Sequence, residues 1–171
     1  MIRRAEMNDL PAIMKLIEET VTIMEKEGNT QWGPAYPLES DFREDILSGS
    51  LWVYETAEIL AGVVCINQAA SQKYDRISWK LPAPALIIHR MAVSPAVRRC
   101  GIGTALLNFA ERQAAASGIA TLRTDTFCKN PGMNSLFQRT GFSLAGSLYS
   151  ELKQGEFYYY EKPVQRDADN H

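Results

Sequence analysis

A glycine-containing segment at residues 98–104, RRCGIGT, links an apolar run to an amphipathic run and carries the clearest chemical signal in the sequence. The first turn of a helix exposes backbone N–H groups that have no partner within the helix, and it carries partial positive charge. Glycine at such a turn lets an anion approach the backbone closely. Because Arg98 and Arg99 lie beside Gly101 and Gly103, we predict that the segment binds a phosphate or a diphosphate.

Three phosphate-binding motifs compete for this segment. The dinucleotide fingerprint G-x-G-x-x-G requires a third glycine where Leu106 stands, and the P-loop requires a lysine that follows neither glycine. The remaining pattern, Arg98-x-x-Gly101-x-Gly103, resembles the R/Q-x-x-G-x-G/A motif of the GCN5-related N-acetyltransferases.

Other stretches carry the same resemblance. MAVSPAVRRCGIG is similar to the strand, loop and helix of that family, and NPGMNSLFQRTGF is similar to its N-x-x-A-x-x-L-Y-x-x-x-G-F helix. The segments QWGPAYP, DFREDI and SLWVYE resemble an uncharacterised bacterial branch of the family, which identifies no substrate. A generic tight turn followed by a core helix is the alternative interpretation.

The resemblance implies that the chain binds acetyl-coenzyme A and releases coenzyme A after transferring the acetyl group. It places the diphosphate on the backbone N–H groups of the glycine segment and the pantetheine arm along the preceding strand, as an added strand would lie. Asn130 matches the family asparagine that touches the pantetheine end, although it also suits a helix cap. The residues implied to bind the cofactor are Met91, Ala92, Val93, Arg98, Arg99, Cys100, Gly101, Ile102, Gly103, Thr104, Asn130, Asn134 and Phe137.

His89 is the predicted catalytic base. It lies in the apolar strand ALIIHRMAV, nine residues before Arg98, and a histidine is similarly placed in the arylalkylamine branch of the family. An alkylamine has a pKa near ~10.4 and must lose a proton before it attacks a thioester. A hydrogen-bonded structural histidine is the alternative.

Phe137 departs from the family pattern, because a tyrosine usually stands there and is assigned as the acid that protonates the leaving thiolate. Phenylalanine cannot donate a proton, so Cys128, Asn134 or water becomes the candidate acid. A thiol pKa near ~8.5 makes an acid helpful but not obligatory. A non-catalytic acetyl-CoA-binding or sensor module therefore stays an alternative, as does a protein N-terminal or lysine acetyltransferase.

Four aromatic residues outside the two motifs are predicted to line a pocket for a small amine or a peptide acceptor: Trp32, Tyr36, Trp79 and Tyr159. Core packing is the alternative for each of them. Alternation along the run Tyr158–Tyr160 sends Tyr159 to the opposite face of its strand from its two neighbours.

The hydrophobic periodicity predicts the order β-α-α-β-β-β-α-β-α-β-β, an α/β fold with a mixed sheet. The segment AASQKYDRISWKLPAP is predicted to be mostly loop. The resemblance implies about seven strands flanked by about four helices, with the fourth and fifth strands splayed apart. We expect one domain over residues 1–165 and a disordered tail at residues 166–171.

Composition limits the classes of partner. A net charge of −2 over 171 residues gives no general basicity, so we expect no nucleic-acid partner. Three unpaired cysteines, no apolar leader and no long apolar run predict a cytoplasmic protein with neither a signal peptide nor a membrane span. We expect no metal, and a homodimer is compatible with the family.

Overall fold

The computed structural model describes residues 1–165, and the predicted tail at residues 166–171 lies outside them. The strands are β1 Ile2–Arg4, β2 Leu51–Glu55, β3 Leu60–Asn67, β4 Ala85–Val93, β5 Thr121–Phe127, β6 Ser143–Ser150 and β7 Gly155–Pro163. The helices are α1 Leu10–Lys26, α2 Glu39–Leu47, α3 Ile102–Ala116 and α4 Pro131–Arg139. The predicted fold class and element order are confirmed. Whether residues 1–165 form a single domain stays a prediction.

The seven strands form one mixed sheet in the order β1-β2-β3-β4-β5-β7-β6. Side chains alternate between its faces, as Val63 and Cys65 on β3 pack with α1 while Val64 and Ile66 pack with α3. The predicted alternation in β7 is confirmed, because Tyr160 joins the α3 face and Tyr159 joins a separate cluster on the other face.

A short 3-10 helix, Gln72–Arg76, lies within the segment predicted to be mostly loop. Its Tyr74 is only 4% exposed and packs with Ile77 and Tyr159. Burial of this aromatic ring orders a polar segment whose sequence gives no periodic signal.

The expected splay between β4 and β5 is present. The two strands pair in parallel from Ala85 with Thr121 to Ile88 with Thr124, and the pairing then stops. β4 nevertheless continues to Val93 and β5 to Phe127. The sheet therefore opens between the carboxyl-terminal halves of its two central strands.

A β-bulge in β4 lies at the start of this opening. Val63 of β3 faces Ala92 and Cys65 faces His89, so two β4 residues stand opposite Val64 alone. One of them, Arg90, has a φ of 38°, which is unusual for a residue with a side chain. The bulge interrupts alternation, so His89 and Arg90 both direct their side chains to the α1 face.

Candidate active site

A cavity of about 1210 Å³ occupies the opening between β4 and β5 and extends to the loop between α1 and α2. Fourteen of the residues singled out in the sequence line it: Trp32, Tyr36, His89, Met91, Ala92, Val93, Arg98, Arg99, Gly101, Ile102, Gly103, Thr104, Asn130 and Phe137. Five others do not: Cys100, Cys128, Asn134, Trp79 and Tyr159. Segments far apart in the sequence thus converge on one concave site.

The start of α3 presents free hydrogen-bond donors to this cavity. Gly101 adopts a φ of 78°, and the first bond of the helix runs from the N–H of Ala105 to the carbonyl of Gly101. Among residues 1–165, the backbone N–H groups of Ile102, Gly103 and Thr104 find no hydrogen-bond partner. Together with the exposed Arg98 and Arg99, these donors suit a multiply charged anion.

The two glycines of the segment serve different purposes. A Cβ on Gly101 would meet nothing within 4 Å, so its positive φ is what requires glycine there. A Cβ on Gly103 would lie 2.8 Å from Cδ2 of Leu136 and 3.6 Å from Cε of Met91. Gly103 therefore permits close packing of α3 against α4, besides leaving its N–H free.

The β5-facing edge of β4 is open beyond Ile88. The N–H of Ser94 donates to the carbonyl of Ala61, and Val63 faces Ala92. In an antiparallel ladder, alternate residues turn their backbone groups toward and away from the partner strand. The N–H and C=O of Val93 consequently point away from β3 and toward the cavity.

His89 has one ring nitrogen fixed by a neighbour. Its Nε2 lies 2.9 Å from Oδ1 of Asn67, and that oxygen also accepts the N–H of Ala69. Because that oxygen can only accept, Nε2 is assigned as the protonated nitrogen and Nδ1 as the one that carries the lone pair. Burial lowers the pKa of His89 from 6.5 to about 4, and the positive charge of the neighbouring Arg90 guanidinium is the second-largest cause. The ring is neutral at pH 7.

Arg90 forms an ion pair that sequence inspection did not find. Its Nε and Nη2 donate to the two carboxylate oxygens of Asp45 at 2.7 and 2.6 Å, and its Nη1 donates to the hydroxyl of Tyr36 at 3.1 Å. The Arg90 and Asp45 side chains are 17% and 7% exposed. This bidentate contact ties α2 to the bulge and holds Tyr36 at the cavity wall.

Gln31 is a second residue that sequence inspection missed. Its Oε1 lies 3.2 Å from Oγ1 of Thr126, 3.3 Å from the N–H of Phe127 and 3.4 Å from Nδ2 of Asn130. Gln31 thereby attaches the loop after α1 to the end of β5 and the start of α4. Only its position beside the predicted pocket residue Trp32 could have drawn attention to it.

Asn130 caps α4, because its Oδ1 accepts the N–H of Met133 at 3.2 Å. Asn134 donates to two backbone carbonyls and accepts a hydrogen bond from the hydroxyl of Tyr160 at 2.6 Å. Phe137 is 2% exposed and packs against Tyr160, and it is also one of the residues that line the cavity. Cys128 is half-buried and does not line the cavity.

Trp79 and Tyr159 lie behind the cavity wall and pack around Tyr74, with ring centroids 5.4 and 5.3 Å from the Tyr74 ring. The hydroxyl of Tyr74 donates to Oδ1 of Asp125 at 2.7 Å. Asp125 itself lines the cavity and was not singled out in the sequence. The two predicted pocket aromatics thus shape the surroundings of an acidic residue and do not face the opening.

Two further properties of the described part of the chain bear on the class of site. None of its helices has the length and apolar character needed to cross a bilayer. Nowhere between residues 1 and 165 do three potential His, Cys, Asp or Glu ligands gather closely enough to hold a metal ion.

The sequence model of the acetyltransferase (GNAT) family matches residues 14–142. An uncharacterised N-acetyltransferase of Bacillus subtilis (strain 168) is 26% identical over 143 residues, which span 81% of this chain and 79% of that protein.

Two solved structures resemble the chain over nearly its whole length. A Streptococcus agalactiae 2603 acetyltransferase of the GNAT family has a TM-score of 0.83 at 29% identity and covers 97% of this chain and 96% of its own. A Staphylococcus aureus Mu50 protein assigned as an acetyltransferase has a TM-score of 0.77 at 31% identity, covering 96% and 99%.

Proposed function

Because the chain belongs to the acetyltransferase (GNAT) family, we propose that it moves the acetyl group of acetyl-CoA to the amine of a small molecule or peptide by direct attack. The observation that carries this proposal is the set of unpaired N–H groups of Ile102, Gly103 and Thr104 at the edge of the cavity. Acetyl-CoA supplies an activated acetyl group as a thioester.

The residues around the opening fit such a ligand. The free N–H groups at the start of α3, with Arg98 and Arg99, would hold the diphosphate. The outward-facing backbone of Val93 would pair with the amide groups of the pantetheine arm. The N–H groups of this open strand edge are also the donors available to polarise a carbonyl near the bulge.

His89 stays the predicted catalytic base. With Nε2 protonated, Nδ1 carries the lone pair that can accept a proton, whereas a pKa of about 4 makes the ring a weak base. His89 would therefore take the proton of the acceptor at Nδ1 only transiently and pass it from the same atom to water, because the Nε2–H is hydrogen-bonded to an amide oxygen that cannot be protonated. Since His89 is neutral across the physiological range, we expect no histidine ionisation between pH 6 and 8 in the profile of kcat/KM.

Water is the proposed proton source for the leaving thiolate. Phe137 has no acidic group, the polar atoms of Asn134 are occupied by hydrogen bonds, and Cys128 lies outside the cavity wall. A non-catalytic binder is the second candidate function, and the phenylalanine at position 137 is the observation that favours it. Amine-dependent release of free coenzyme A separates the enzyme from the binder.

Binding of acetyl-CoA is tested by thermal and denaturant unfolding. At about 100 times its Kd, the ligand should raise the free energy of unfolding by roughly 2.7 kcal/mol. Gly101→Glu should abolish this gain, because it places a negative charge and a strained side chain beside the anion site. Gly101→Asn is the matched control, since asparagine tolerates a positive φ and adds no charge. No gain in the natural protein at saturating acetyl-CoA would refute the proposal.

A further inference from the structure

Asp125 stands at the open end of β5, where the strand has already separated from β4. Its side chain lines the same cavity as Tyr36, His89 and Arg90, on the α1 face of the sheet. This face is opposite the start of α3, where the anion site lies. Asp125 therefore belongs to the acceptor side of the cavity.

Among residues 1–165, only one of the two oxygens of the Asp125 carboxylate has a hydrogen-bond partner. Oδ1 accepts the hydroxyl of Tyr74 at 2.7 Å, while Oδ2 has no hydrogen-bond partner among residues 1–165. Within that part of the chain Asp125 forms no ion pair either, since no cationic nitrogen lies within 4.0 Å of it. Burial raises the pKa of this carboxyl, with the Tyr74 hydrogen bond opposing the rise. A half-buried carboxylate with an oxygen open to the cavity is suited to a cationic partner.

The neighbouring charges do not supply that partner. Arg90 is neutralised by its bidentate contact with Asp45. Lys73 is exposed and acts on Asp125 only at a distance. Lys153, on the outer wall, donates its ammonium to the carbonyl of Thr30. Among residues 1–165, Asp125 is thus a carboxylate on the acceptor side of the cavity that no cationic side chain pairs with.

Aromatic side chains form part of the wall of the same cavity. Trp32, Tyr36 and Phe157 line the cavity with Asp125, and the ring of Tyr74 stands behind the carboxylate. Aromatic faces and a carboxylate together favour an organic cation over a neutral or anionic molecule of the same shape.

We propose that Asp125 is the acceptor-recognition residue of this chain and that it binds the ammonium group of a primary alkylamine or aralkylamine. The inference rests on the proposed acetyl transfer and names the acceptor class as cationic. Oδ2 would accept an N–H of the ammonium, while Tyr74 fixes the orientation of the carboxylate through Oδ1.

Isothermal calorimetry with 2-phenylethylamine as the probe tests this binding in the absence of any acetyl donor. The natural protein should bind 2-phenylethylamine and discriminate against 2-phenylethanol, its neutral counterpart. Asp125→Asn preserves the shape and the hydrogen bond from Tyr74 but removes the charge, and it should weaken amine binding about tenfold or more. Asp75→Asn, which removes an exposed charge from the same neighbourhood, is the control and should leave the affinity unchanged.

Stabilisation by acetyl-CoA is measured in parallel to separate the two proposals. If acetyl-CoA stabilises both the natural protein and the Asp125→Asn variant while only the latter loses amine affinity, both proposals stand. Equal amine affinity in the two proteins, or equal affinity for amine and alcohol, would overturn the role of Asp125 and leave acetyl-CoA binding intact. Loss of the acetyl-CoA response in the natural protein would instead refute the proposed function.

Discussion

His89 shows how one hydrogen bond and its surroundings fix the chemistry of a residue. Sequence position alone suggested a base, and the structure adds that Nε2 is committed to Asn67 and that the ring is neutral at pH 7. A neutral histidine has a consequence for stability as well as for proton transfer. His89 is protonated less readily in the folded state than in the unfolded chain, so the free energy of unfolding decreases as the pH falls.

Replacing His89 should therefore change the acid sensitivity of the protein. A pKa lowered from 6.5 to about 4 corresponds to about 3 kcal/mol of unfolding free energy, fully present above pH 6.5 and lost as the pH falls toward 4. His89→Gln keeps a donor for Asn67 but cannot be protonated, so its unfolding free energy should vary less across this range. Urea denaturation at several pH values measures the slope. His171→Gln removes the other histidine as a control, and equal slopes for His89→Gln and the natural protein would contradict the prediction.

The residues of the site divide by how far their partners lie along the chain. Gly101, Gly103 and Asn130 belong to local motifs, so their positions at helix starts could be predicted from neighbouring residues. Asp125 and Arg90 find their partners 51 and 45 residues away. Such contacts exist only after the sheet has formed, so the spacing of residues in a single sequence does not predict them.

Elements are held around the site by contacts of unequal strength. The Arg90–Asp45 pair joins α2 to the β4 bulge where both side chains are largely buried. Within α2 itself, Arg43 and Glu39 form a pair of 2.7 Å whose side chains are 50% and 57% exposed. Breaking a buried pair leaves an uncompensated charge, whereas breaking an exposed pair leaves a charge that water solvates.

We expect similar substitutions in these two ion pairs of α2 to reduce the free energy of unfolding by very different amounts. Asp45→Asn should lower the free energy of unfolding by about 2 to 4 kcal/mol, because Arg90 keeps its charge at a site that is 17% exposed. Glu39→Gln should change it by less than about 1 kcal/mol. Chemical denaturation of both variants provides the comparison. Similar costs would show that the buried pair does not anchor α2.

Element boundaries followed from the sequence wherever a strong local signal existed. Proline at the first position of α4 and glycines with positive φ just after α1 and α3 mark helix ends for known steric reasons. The bulge in β4 had no such signal, since its residue with positive φ is Arg90 and not a glycine. The side chain of Arg90 is instead held by its long-range contact with Asp45, which no neighbouring residue in the sequence indicates.

Over the whole molecule, the opening between β4 and β5 determines where a ligand can add to the sheet. Beyond Ile88, the inner edge of β4 has lost its partner strand, although its outer edge stays paired with β3. A ligand with amide groups can restore the missing hydrogen bonds. The same argument extends to the free N–H groups at the start of α3.

Hydrogen exchange followed by NMR should report this restoration site by site. Acetyl-CoA is expected to slow hydrogen exchange at the amides of Gly103 and Thr104, which have no hydrogen-bond partner among residues 1–165. It should also slow exchange at the amide of Val93, which faces the opening. The amide of Ser94 already donates to Ala61 and serves as the internal control. Protection confined to Ser94 and its neighbours on β3 would contradict binding in the opening.

Only four residue pairs, from Ala85 with Thr121 to Ile88 with Thr124, join strands β1–β4 to strands β5–β7 through backbone hydrogen bonding. The sheet is thus two half-sheets with a narrow seam. A ligand bound beyond these four pairs would contact both parts of the sheet and would help to hold them together, besides taking part in the reaction. The two parts of the sheet should therefore unfold more cooperatively when a ligand occupies the opening. The stability of the folded chain would then depend on how much of that ligand is present.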